Sequence, residues 1–536
     1  MKKIGIQINK TEREYDVYAL LTSFFPGTEV LTGAYDETPD GVFSITEDGN
    51  RVKISIEFED IKAEEEFEIT SEAKEAAKKE FGIKLYDFLS KATGKELPWG
   101  NLTGIRPTKL IRSMIEEEMG KVSDRTGSDD TSSEEKSPSE GVNPGETVIE
   151  KSSFEGMDPG ESEMEKSPSE SMDPSDEVLE RVRYRAYEER RLRGQKLDLG
   201  IDIAIREMNI MSKVHQTDGY SVYVGIPFCP STCLYCSFTS NPVFKYRNKI
   251  KDYLLALKKE LEWTASDMSD RSLDTVYIGG GTPTTLEPEE LDELLGYITT
   301  ILPWENVKEF TIEAGRPDSI TKEKLEVIKK YPITRISVNP QTMSNETLKL
   351  IGRNHTVEQF VDAFKLVRSM GFDNINTDII IGLPGETTED VRHTIDELIK
   401  LSPDSLTVHS LAIKRASRLK RWMDENELEI TMDYEEAMKI CAEGAKKLGL
   451  NPYYLYRQKQ MAGNLENTGY SAPGKEGLYN ILIMEEIQSI VALGAGSVSK
   501  CVHDNGLIER CDNVKDIDLY LEKIDDMINR KTALFT

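Results

Sequence analysis

Between Ser221 and Ser410, six short runs of β-branched and apolar residues alternate with segments whose apolar residues recur at helical spacing. This alternation is typical of βαβ units, in which a helix crosses over between two parallel strands. Six such units within about 190 residues predict a parallel sheet that curves into part of a barrel. The predicted strands lie in "SVYVGIPF", "DTVYIGGG", "KEFTIEAG", "ITRISVNPQ", "NINTDIIIGLP" and "DSLTVHSLA".

Five helical segments separate these strands. In barrels of parallel strands the chemistry lies at the carboxyl ends of the strands, so we expect functional residues in the loops that follow them. The helical segments are "KDYLLALKKELEW", "PEELDELLGYITTIL", "TKEKLEVIKKY", "TVEQFVDAFKLVRSM" and "TEDVRHTIDELIKL".

The chain has 536 residues, which is too long for one hydrophobic core. The predicted fold class is α/β, a partial (β/α)6 TIM-like barrel with a small N-terminal α+β domain and a mostly helical C-terminal region. The predicted regions are an N-terminal domain at 1–118, an acidic insert at 119–178, a helical connector at 179–220, the barrel at 221–412 and the C-terminal region at 413–536.

The acidic insert dominates the charge of the chain. The net charge is −29, and the segment from Lys121 to Glu180 holds 18 acidic and 5 basic residues. Because this segment is poor in apolar residues, burial cannot offset its ordering entropy, and we predict disorder. Phosphate backbones recruit Lys and Arg, so the overall charge argues against a nucleic-acid binder.

The sequence also indicates in which cellular compartment the protein is expected. No run of 18 or more apolar residues exists, so we expect no membrane span, and the polar N-terminus does not read as a secretion signal. Six cysteines, three of them clustered, do not resemble a secreted disulfide framework. We expect a monomer in the reducing cytoplasm.

The segment "CPSTCLYC" follows the first predicted strand and contains Cys229, Cys233 and Cys236. Iron–sulfur clusters take cysteine thiolates as ligands, and three thiolates leave one iron of a 4Fe–4S cluster for another ligand. A structural zinc ion is the alternative, but it needs four ligands. The next histidine after the cysteines is His355, and we favour the iron–sulfur cluster.

The phrase "YVGIPFCPSTCLYCSF" resembles the signature of radical S-adenosylmethionine (SAM) enzymes, and within them the oxygen-independent coproporphyrinogen III oxidase group. The resemblance continues through "GGGTPT", "TIEAGRPDS", "ISVNPQTM", "GRNH" and "DIIIGLPGET" and covers about Ser221 to Ser410. The N-terminal region and "LPWGNLTGIRPTKL" resemble the HemZ-type branch, called coproporphyrinogen dehydrogenase.

This resemblance implies a radical SAM barrel with one 4Fe–4S cluster per chain and SAM as the second cofactor. The three cysteines would bind three irons, and the fourth iron would bind the methionine moiety of SAM. The cofactor-binding residues that the resemblance implies are Tyr223, Tyr235, Gly280, Gly281, Thr282, Glu313, Gln341, Arg353, Asp378 and Ala412.

The implied reaction is the oxidative decarboxylation of two propionates of coproporphyrinogen III, which gives protoporphyrinogen IX. A hydrogen atom leaves the β-carbon of each propionate, CO2 is released, and an external acceptor takes one electron. The cluster would be reduced by a donor such as flavodoxin or ferredoxin. A haem chaperone on the same scaffold is the alternative, because "YCSF" is closer to that branch.

A basic segment, "KRASRLKR", follows the sixth predicted strand. It suits a substrate with four carboxylates, although a solvated helix face is the alternative. A second, weaker candidate is "YYLYRQKQ". The candidate substrate residues of the two segments are Lys414, Arg415, Arg418, Arg421 and Arg457.

Overall fold

The computed structural model describes most of the chain, and the larger part of the predicted acidic insert lies outside the described residues. Across the described ranges, no helix is long and apolar enough to cross a membrane. The structure describes residues 2–536 except 34, 36, 37, 105, 127–172, 239, 413–417, 427–431 and 458–464.

The N-terminal region forms a five-stranded sheet with two helices packed against it. Its elements are β1 (Lys3–Ile8), α1 (Glu14–Phe24), β2 (Glu29–Leu31), β3 (Gly41–Asp48), β4 (Arg51–Phe58), β5 (Ile61–Glu68) and α2 (Lys74–Thr93), with a 3-10 turn at Thr11–Arg13. The strand order is β2-β1-β3-β4-β5. Buried residues alternate along β3 and β4, so that one face of the sheet packs with the helices in a separate apolar core.

Three helices follow, α3 (Pro107–Thr126), α4 (Asp176–Arg190) and α5 (Gly194–Met211). They share an apolar cluster with Trp99 and with Leu455 of the C-terminal region. Because α3 runs to Thr126 and α4 begins at Asp176, both edges of the insert predicted at 119–178 are helical. The side chain of Ser175 caps α4 by accepting a hydrogen bond from the backbone N–H of Val178.

Six parallel strands form the central sheet in chain order, which confirms the predicted fold class. Most residues of these strands are buried, because helices cover the sheet. The strands are β6 (Gly219–Ile226), β9 (Ser272–Gly280), β10 (Glu309–Glu313), β11 (Arg335–Ser337), β12 (Ile375–Ile381) and β13 (Ser405–Ser410).

Two short strands and seven helices lie between these strands. The two-residue strands β7 (Phe228–Cys229) and β8 (Asn241–Pro242) pair beside the cysteine segment. The helices are α6 (Val243–Tyr246), α7 (Ile250–Asp267), α8 (Pro288–Ile301), α9 (Lys322–Ile328), α10 (Asn345–Leu350), α11 (Val357–Ser369) and α12 (Thr388–Leu401), with 3-10 turns at Arg247–Lys249, Pro283–Thr285 and Pro317–Ser319.

The C-terminal region contains more helix than strand, but it also extends the central sheet at both edges. Its elements are α13 (Arg418–Glu425), α14 (Tyr434–Lys447), β14 (Asn451–Tyr456), β15 (Asn467–Ser471), α15 (Leu478–Glu485), β16 (Ser489–Leu493), β17 (Val498–Val502), β18 (Ile508–Asp512), α16 (Ile517–Glu522) and α17 (Ile524–Phe535). Strands β15 and β14 continue the sheet beyond β13, and β16, β17 and β18 continue it beyond β6. Within its described residues, the predicted mostly helical region therefore also supplies five strands.

A buried charged network joins the last helix to the barrel. Glu260 of α7 and Lys531 of α17 are fully buried, and the Lys531 ammonium donates to the Glu260 carboxylate. The same carboxylate accepts hydrogen bonds from Asn513, Tyr520 and the backbone N–H of Gly494. Because a buried charge is tolerated only when it is paired, these contacts hold the loop after β16 beside β6.

Candidate functional site

The three clustered cysteines lie at the carboxyl end of β6. Cys229 and Cys233 are each 8% exposed, whereas Cys236 is half-buried. The Cys236 amide donates to the Cys233 carbonyl, and the Thr282 hydroxyl donates to Cys229 Sγ at 3.5 Å. Burial and the two neighbouring thiols raise the pKa of Cys229 to about 11, and burial also raises the pKa of Cys236.

The three thiols could bind either an iron–sulfur cluster or a structural zinc ion, and the number of ligands bears on the choice. In the part of the chain that the structure describes, no group of three His, Cys, Asp or Glu side chains is arranged to hold a single metal ion. Three thiolates that bind three different irons of a 4Fe–4S cluster need not converge on one point. Three neighbouring thiols match the donor set of an iron–sulfur cluster, whereas a structural zinc ion takes four ligands.

The glycine-rich loop after β9 packs directly against the first cysteine. A Cβ on Gly281 would lie 2.5 Å from the Phe228 carbonyl oxygen and 3.0 Å from Cys229 Sγ. Gly280 has φ +104°, which side-chain-bearing residues rarely adopt. The Thr282 amide donates to the Phe228 carbonyl at 2.7 Å. Only glycine therefore lets this loop approach the cysteines so closely.

Three predicted polar residues lie on or just after the next three strands: Glu313 ends β10, Gln341 follows β11 and Asp378 lies within β12. Glu313 accepts a hydrogen bond from the Tyr277 hydroxyl at 2.5 Å, and burial, with the nearby Asp378 carboxylate, raises the pKa of Glu313 to about 7. Asp378 accepts a hydrogen bond from the Asn339 side chain at 2.8 Å. Gln341 has φ +69°, and its backbone bonds to β12 beside Asp378. The Glu313 and Asp378 carboxylates thus lie close to each other, and the backbone of Gln341 lies beside Asp378.

Aromatic rings fill the barrel below the glycine loop. Tyr223 of β6 stacks on Tyr277 and on Tyr479, each at a centroid distance of 6.1 Å, and the last two rings lie 4.5 Å apart. The Tyr223 hydroxyl lies beside Gly280, and a Cβ added at Gly280 would lie 3.2 Å from it. Tyr479 belongs to α15 and was missed, because nothing in the sequence around it marks a residue of the barrel interior.

Tyr235 and Arg353 are in direct contact. The Arg353 Nε donates to the Tyr235 hydroxyl at 3.2 Å, and its Nη1 donates to the carbonyls of Gly315 and Asn339 at 2.9 Å. Arg353 is 7% exposed. Nε and Nη1 thus donate hydrogen bonds to the protein itself, whereas no hydrogen bond joins Nη2 to a described residue.

Comparison with known proteins identifies the family of this chain. The model of the Radical SAM superfamily matches residues 223–398. The "Oxygen-independent coproporphyrinogen-III oxidase-like protein HemZ" of Bacillus subtilis is 36% identical over 452 residues, which cover 83% of this chain and 78% of the relative. The chain belongs to the oxygen-independent coproporphyrinogen-III oxidase-like family of radical SAM proteins.

Two further similarities are more limited. The "Heme chaperone HemW" of B. subtilis is 34% identical over 218 residues, which cover 40% of this chain and 57% of the relative. The solved coproporphyrinogen III oxidase HemN of Escherichia coli, a radical SAM enzyme, matches with a TM-score of 0.47 and 20% identity, covering 60% of this chain and 73% of that chain. Membership of the radical SAM superfamily implies a 4Fe–4S cluster and SAM.

Sequence reasoning also missed Arg316, which lies beside the clustered cysteines. It lies within "TIEAGRPDS", is 3% exposed, and approaches Cys233 Sγ at 3.6 Å through Nη1. Its position after β10 is 83 residues from Cys233, so only the fold reveals the contact. Its burial beside a cysteine makes it part of the cluster environment.

The described part of the basic segment, residues 418–421 at the start of α13, lies beside the cysteine loop of the radical SAM barrel. Leu419 of α13 belongs to an apolar cluster against which Leu234 and Tyr235 pack. Arg418 and Arg421 of the same helix are exposed. Ala412 follows β13 and is half-buried, whereas Lys414 and Arg415 lie outside the described residues.

Arg457 occupies a different environment from the one we predicted. It is 4% exposed, and its Nη1 donates to the Leu102 carbonyl in the loop before α3. Burial lowers the pKa of Arg457 to about 10. Because the guanidinium is buried against the N-terminal region, we do not include it in the proposed substrate surface.

Proposed function

We propose that this radical SAM protein oxidatively decarboxylates two propionates of coproporphyrinogen III and so produces protoporphyrinogen IX in anaerobic haem biosynthesis. The observation that carries the proposal is the helix α13, whose exposed Arg418 and Arg421 lie on an element packed beside the cysteine loop. A cationic surface attracts a substrate with four carboxylates, and in a chain of net charge −29 such a surface is unusual.

In this proposal Cys229, Cys233 and Cys236 bind three irons of the cluster. When bound, the cluster and SAM supply one-electron chemistry that removes a hydrogen atom from a substrate propionate. Two of the three thiols, Cys229 and Cys233, are buried, which limits the access of water to them. The close approach of Gly281 to Cys229 keeps the glycine loop within reach of a ligand bound at the cluster.

The other proposed cofactor-binding residues contact different parts of SAM. The backbone of Gly280, Gly281 and Thr282 offers polar groups to the amino group of SAM, and Arg353 presents Nη2 to its carboxylate. Tyr235 and Tyr223 supply rings beside the adenosyl moiety. The side chains proposed to bind the ribose and methionine are Glu313, Gln341 and Asp378, and Ala412 is proposed to contact adenine through its backbone.

Transfer of haem is the second candidate function. Its support is the 34% identity to the "Heme chaperone HemW" of B. subtilis. That similarity covers 40% of the chain, whereas the similarity to the oxidase-like HemZ covers 83% and includes much more of the chain outside the barrel. We therefore favour decarboxylation.

We further propose that the protein acts as a monomer in the cytoplasm and receives electrons from a carrier such as flavodoxin or ferredoxin. A reducing compartment keeps three neighbouring thiols available for iron.

One experiment compares the two functions directly. The anaerobically reconstituted holoprotein is incubated with SAM, a reductant, an electron acceptor and coproporphyrinogen III, and the products are measured by mass spectrometry. A parallel sample is incubated with haem and an apo-haemoprotein. Vinyl-bearing product with 5′-deoxyadenosine supports decarboxylation, whereas SAM-independent haem transfer without this product supports the chaperone.

A further inference from the structure

We infer that Arg316 is a positioning residue that fixes the cysteine loop and sets the reduction potential of the iron–sulfur cluster by holding a positive charge beside Cys233. The inference rests on the cluster ligands of the proposed function, and it is independent of the substrate.

The guanidinium of Arg316 contacts the cysteine loop at three atoms. Its Nη1 lies 3.6 Å from Cys233 Sγ and 3.2 Å from the Ser231 carbonyl oxygen, and its Nη2 lies 3.1 Å from Ser231 Oγ. The Ser231 hydroxyl in turn donates to the Gly352 carbonyl at 3.0 Å. The loop between the first two cysteines is thereby tied to two other strand-end loops of the barrel.

Asp318 fixes the orientation of this guanidinium. The two side chains form a fork-to-fork pair, with Nε 2.9 Å from Oδ1 and Nη2 2.8 Å from Oδ2. The backbone between them is a 3-10 turn in which the Ser319 amide donates to the Arg316 carbonyl at 2.9 Å. Such a pair is geometrically specific, so Asp318 both orients the cation and offsets part of its charge.

Two other titratable groups lie close to this pair. Arg353 lies in the neighbouring loop, and its Nη1 donates to the carbonyl of Gly315, next to Arg316. His355 is 3% exposed, and burial, together with the Arg353 charge, lowers its pKa to about 3, so the imidazole is neutral. Among the described residues, Arg316 is the cation that contacts the sulfur of a proposed cluster ligand.

Reduction adds negative charge to an iron–sulfur cluster, and hydrogen bonds to the ligand sulfurs and nearby charges set its potential. A buried guanidinium at Cys233 stabilises the reduced form, because charges interact strongly where water is excluded. Its carboxylate partner, Asp318, is more exposed than the guanidinium and acts in the opposite direction. The signs of these two effects distinguish electrostatic tuning from simple support of the loop.

The test is a redox titration of the reconstituted full-length holoprotein, monitored by the electron paramagnetic resonance signal of the reduced cluster. We expect Arg316→Gln to shift the midpoint potential to more negative values and Asp318→Asn to shift it to more positive values. Arg316→Lys keeps the charge, so its potential is expected to lie closer to that of the wild type. The matched control is the Arg368–Asp404 pair at 2.8 Å, where Arg368→Gln and Asp404→Asn are expected to leave the potential unchanged.

Shifts of the same sign in Arg316→Gln and Asp318→Asn, or no shift in either, would overturn the inference. Iron content is measured for every variant. If Arg316→Gln does not retain iron, its potential cannot be measured. The inference is then tested by the positive shift expected of Asp318→Asn and by a potential of Arg316→Lys close to that of the wild type. Because no substrate is present, failure of the decarboxylation proposal leaves this test intact.

Discussion

The Tyr235 hydroxyl accepts a hydrogen bond from Arg353 Nε at 3.2 Å, although the two residues are 118 positions apart in sequence. Tyr235 lies between the second and third clustered cysteines, and Arg353 follows α10. Since Arg353 also holds the Gly315 and Asn339 carbonyls, one side chain joins three loops at the mouth of the barrel.

Arg353→Met is therefore expected to weaken SAM binding by about 10-fold or more, because it leaves the two carbonyls and the phenol without their donor. Tyr235→Phe removes one hydrogen bond and keeps the ring, so a smaller loss, roughly 2- to 10-fold, is expected. Anaerobic calorimetric titration with SAM measures both. Equal affinities in the wild type and Arg353→Met would contradict the proposed role.

The assignment of the cluster ligands predicts a sharp division among the cysteines. Replacing Cys229, Cys233 or Cys236 by alanine is expected to abolish the brown colour and most of the bound iron after reconstitution. Cys511→Ala is the matched control, because Cys511 is also 8% exposed but lies on β18. Loss of the cluster in Cys511→Ala would show that the ligand set is incomplete.

Gly281→Ala tests the close approach of the glycine loop. The added Cβ would meet the Phe228 carbonyl oxygen at 2.5 Å, so the loop must move away from Cys229, at a cost of roughly 1–3 kcal/mol. Lower stability and reduced iron retention are expected in urea unfolding and iron assays. Gly120→Ala in α3 is the control, because its Cβ meets nothing within 4 Å and alanine favours helix. Normal iron retention in Gly281→Ala would argue against the tight fit.

The Glu313 carboxyl gives the apoprotein a defined pH dependence. Its pKa is raised from 4.5 to about 7, so the folded state favours the protonated form, and stability is lost as pH rises from 4.5 through 7. Glu313→Gln removes this loss and is expected to be more stable than the wild type at pH 8 by roughly 2–3 kcal/mol, with no such gain at pH 4.5. Urea unfolding at the two pH values measures the difference. The exposed Glu326→Gln is the control, and a gain of equal size at both pH values would contradict the assignment.

Charge reversal on α13 tests the substrate surface. The double variant Arg418→Glu/Arg421→Glu is expected to raise KM for coproporphyrinogen III by roughly 10-fold with little change in kcat, because both side chains are exposed and act by attraction. The effect should shrink at high salt. Lys365→Glu, on an exposed position of α11, is expected to have no effect. An unchanged KM in the double variant would remove α13 from the substrate site.

The barrel was predictable from sequence because short runs rich in β-branched and apolar residues alternate with helical segments along this part of the chain. The strands of the C-terminal region were not. Strand β15 reads "NTGYS", a polar run that is buried only because β14 and β13 lie on either side of it. Tertiary pairing, rather than local propensity, decides such a segment.

The candidate site also contains residues that the sequence predicts and residues that only the fold reveals. The spacing of the cysteines and the composition of the glycine loop indicate their chemistry from the sequence alone. Arg316, by contrast, is an ordinary arginine in sequence, and its contact with Cys233 depends on how two strand-end loops meet. Arg457 shows the converse, since a basic residue among aromatic residues is buried against Leu102.

The most direct test of the central claim follows one hydrogen atom. Coproporphyrinogen III carrying deuterium at the β-carbons of its propionates is supplied to the reduced holoprotein with SAM and an electron acceptor, and both products are analysed by mass spectrometry. Our account predicts deuterium in 5′-deoxyadenosine and a tetrapyrrole that has lost two CO2 and gained two vinyl groups. Cleavage of SAM with no deuterium in 5′-deoxyadenosine and an unchanged tetrapyrrole would contradict it.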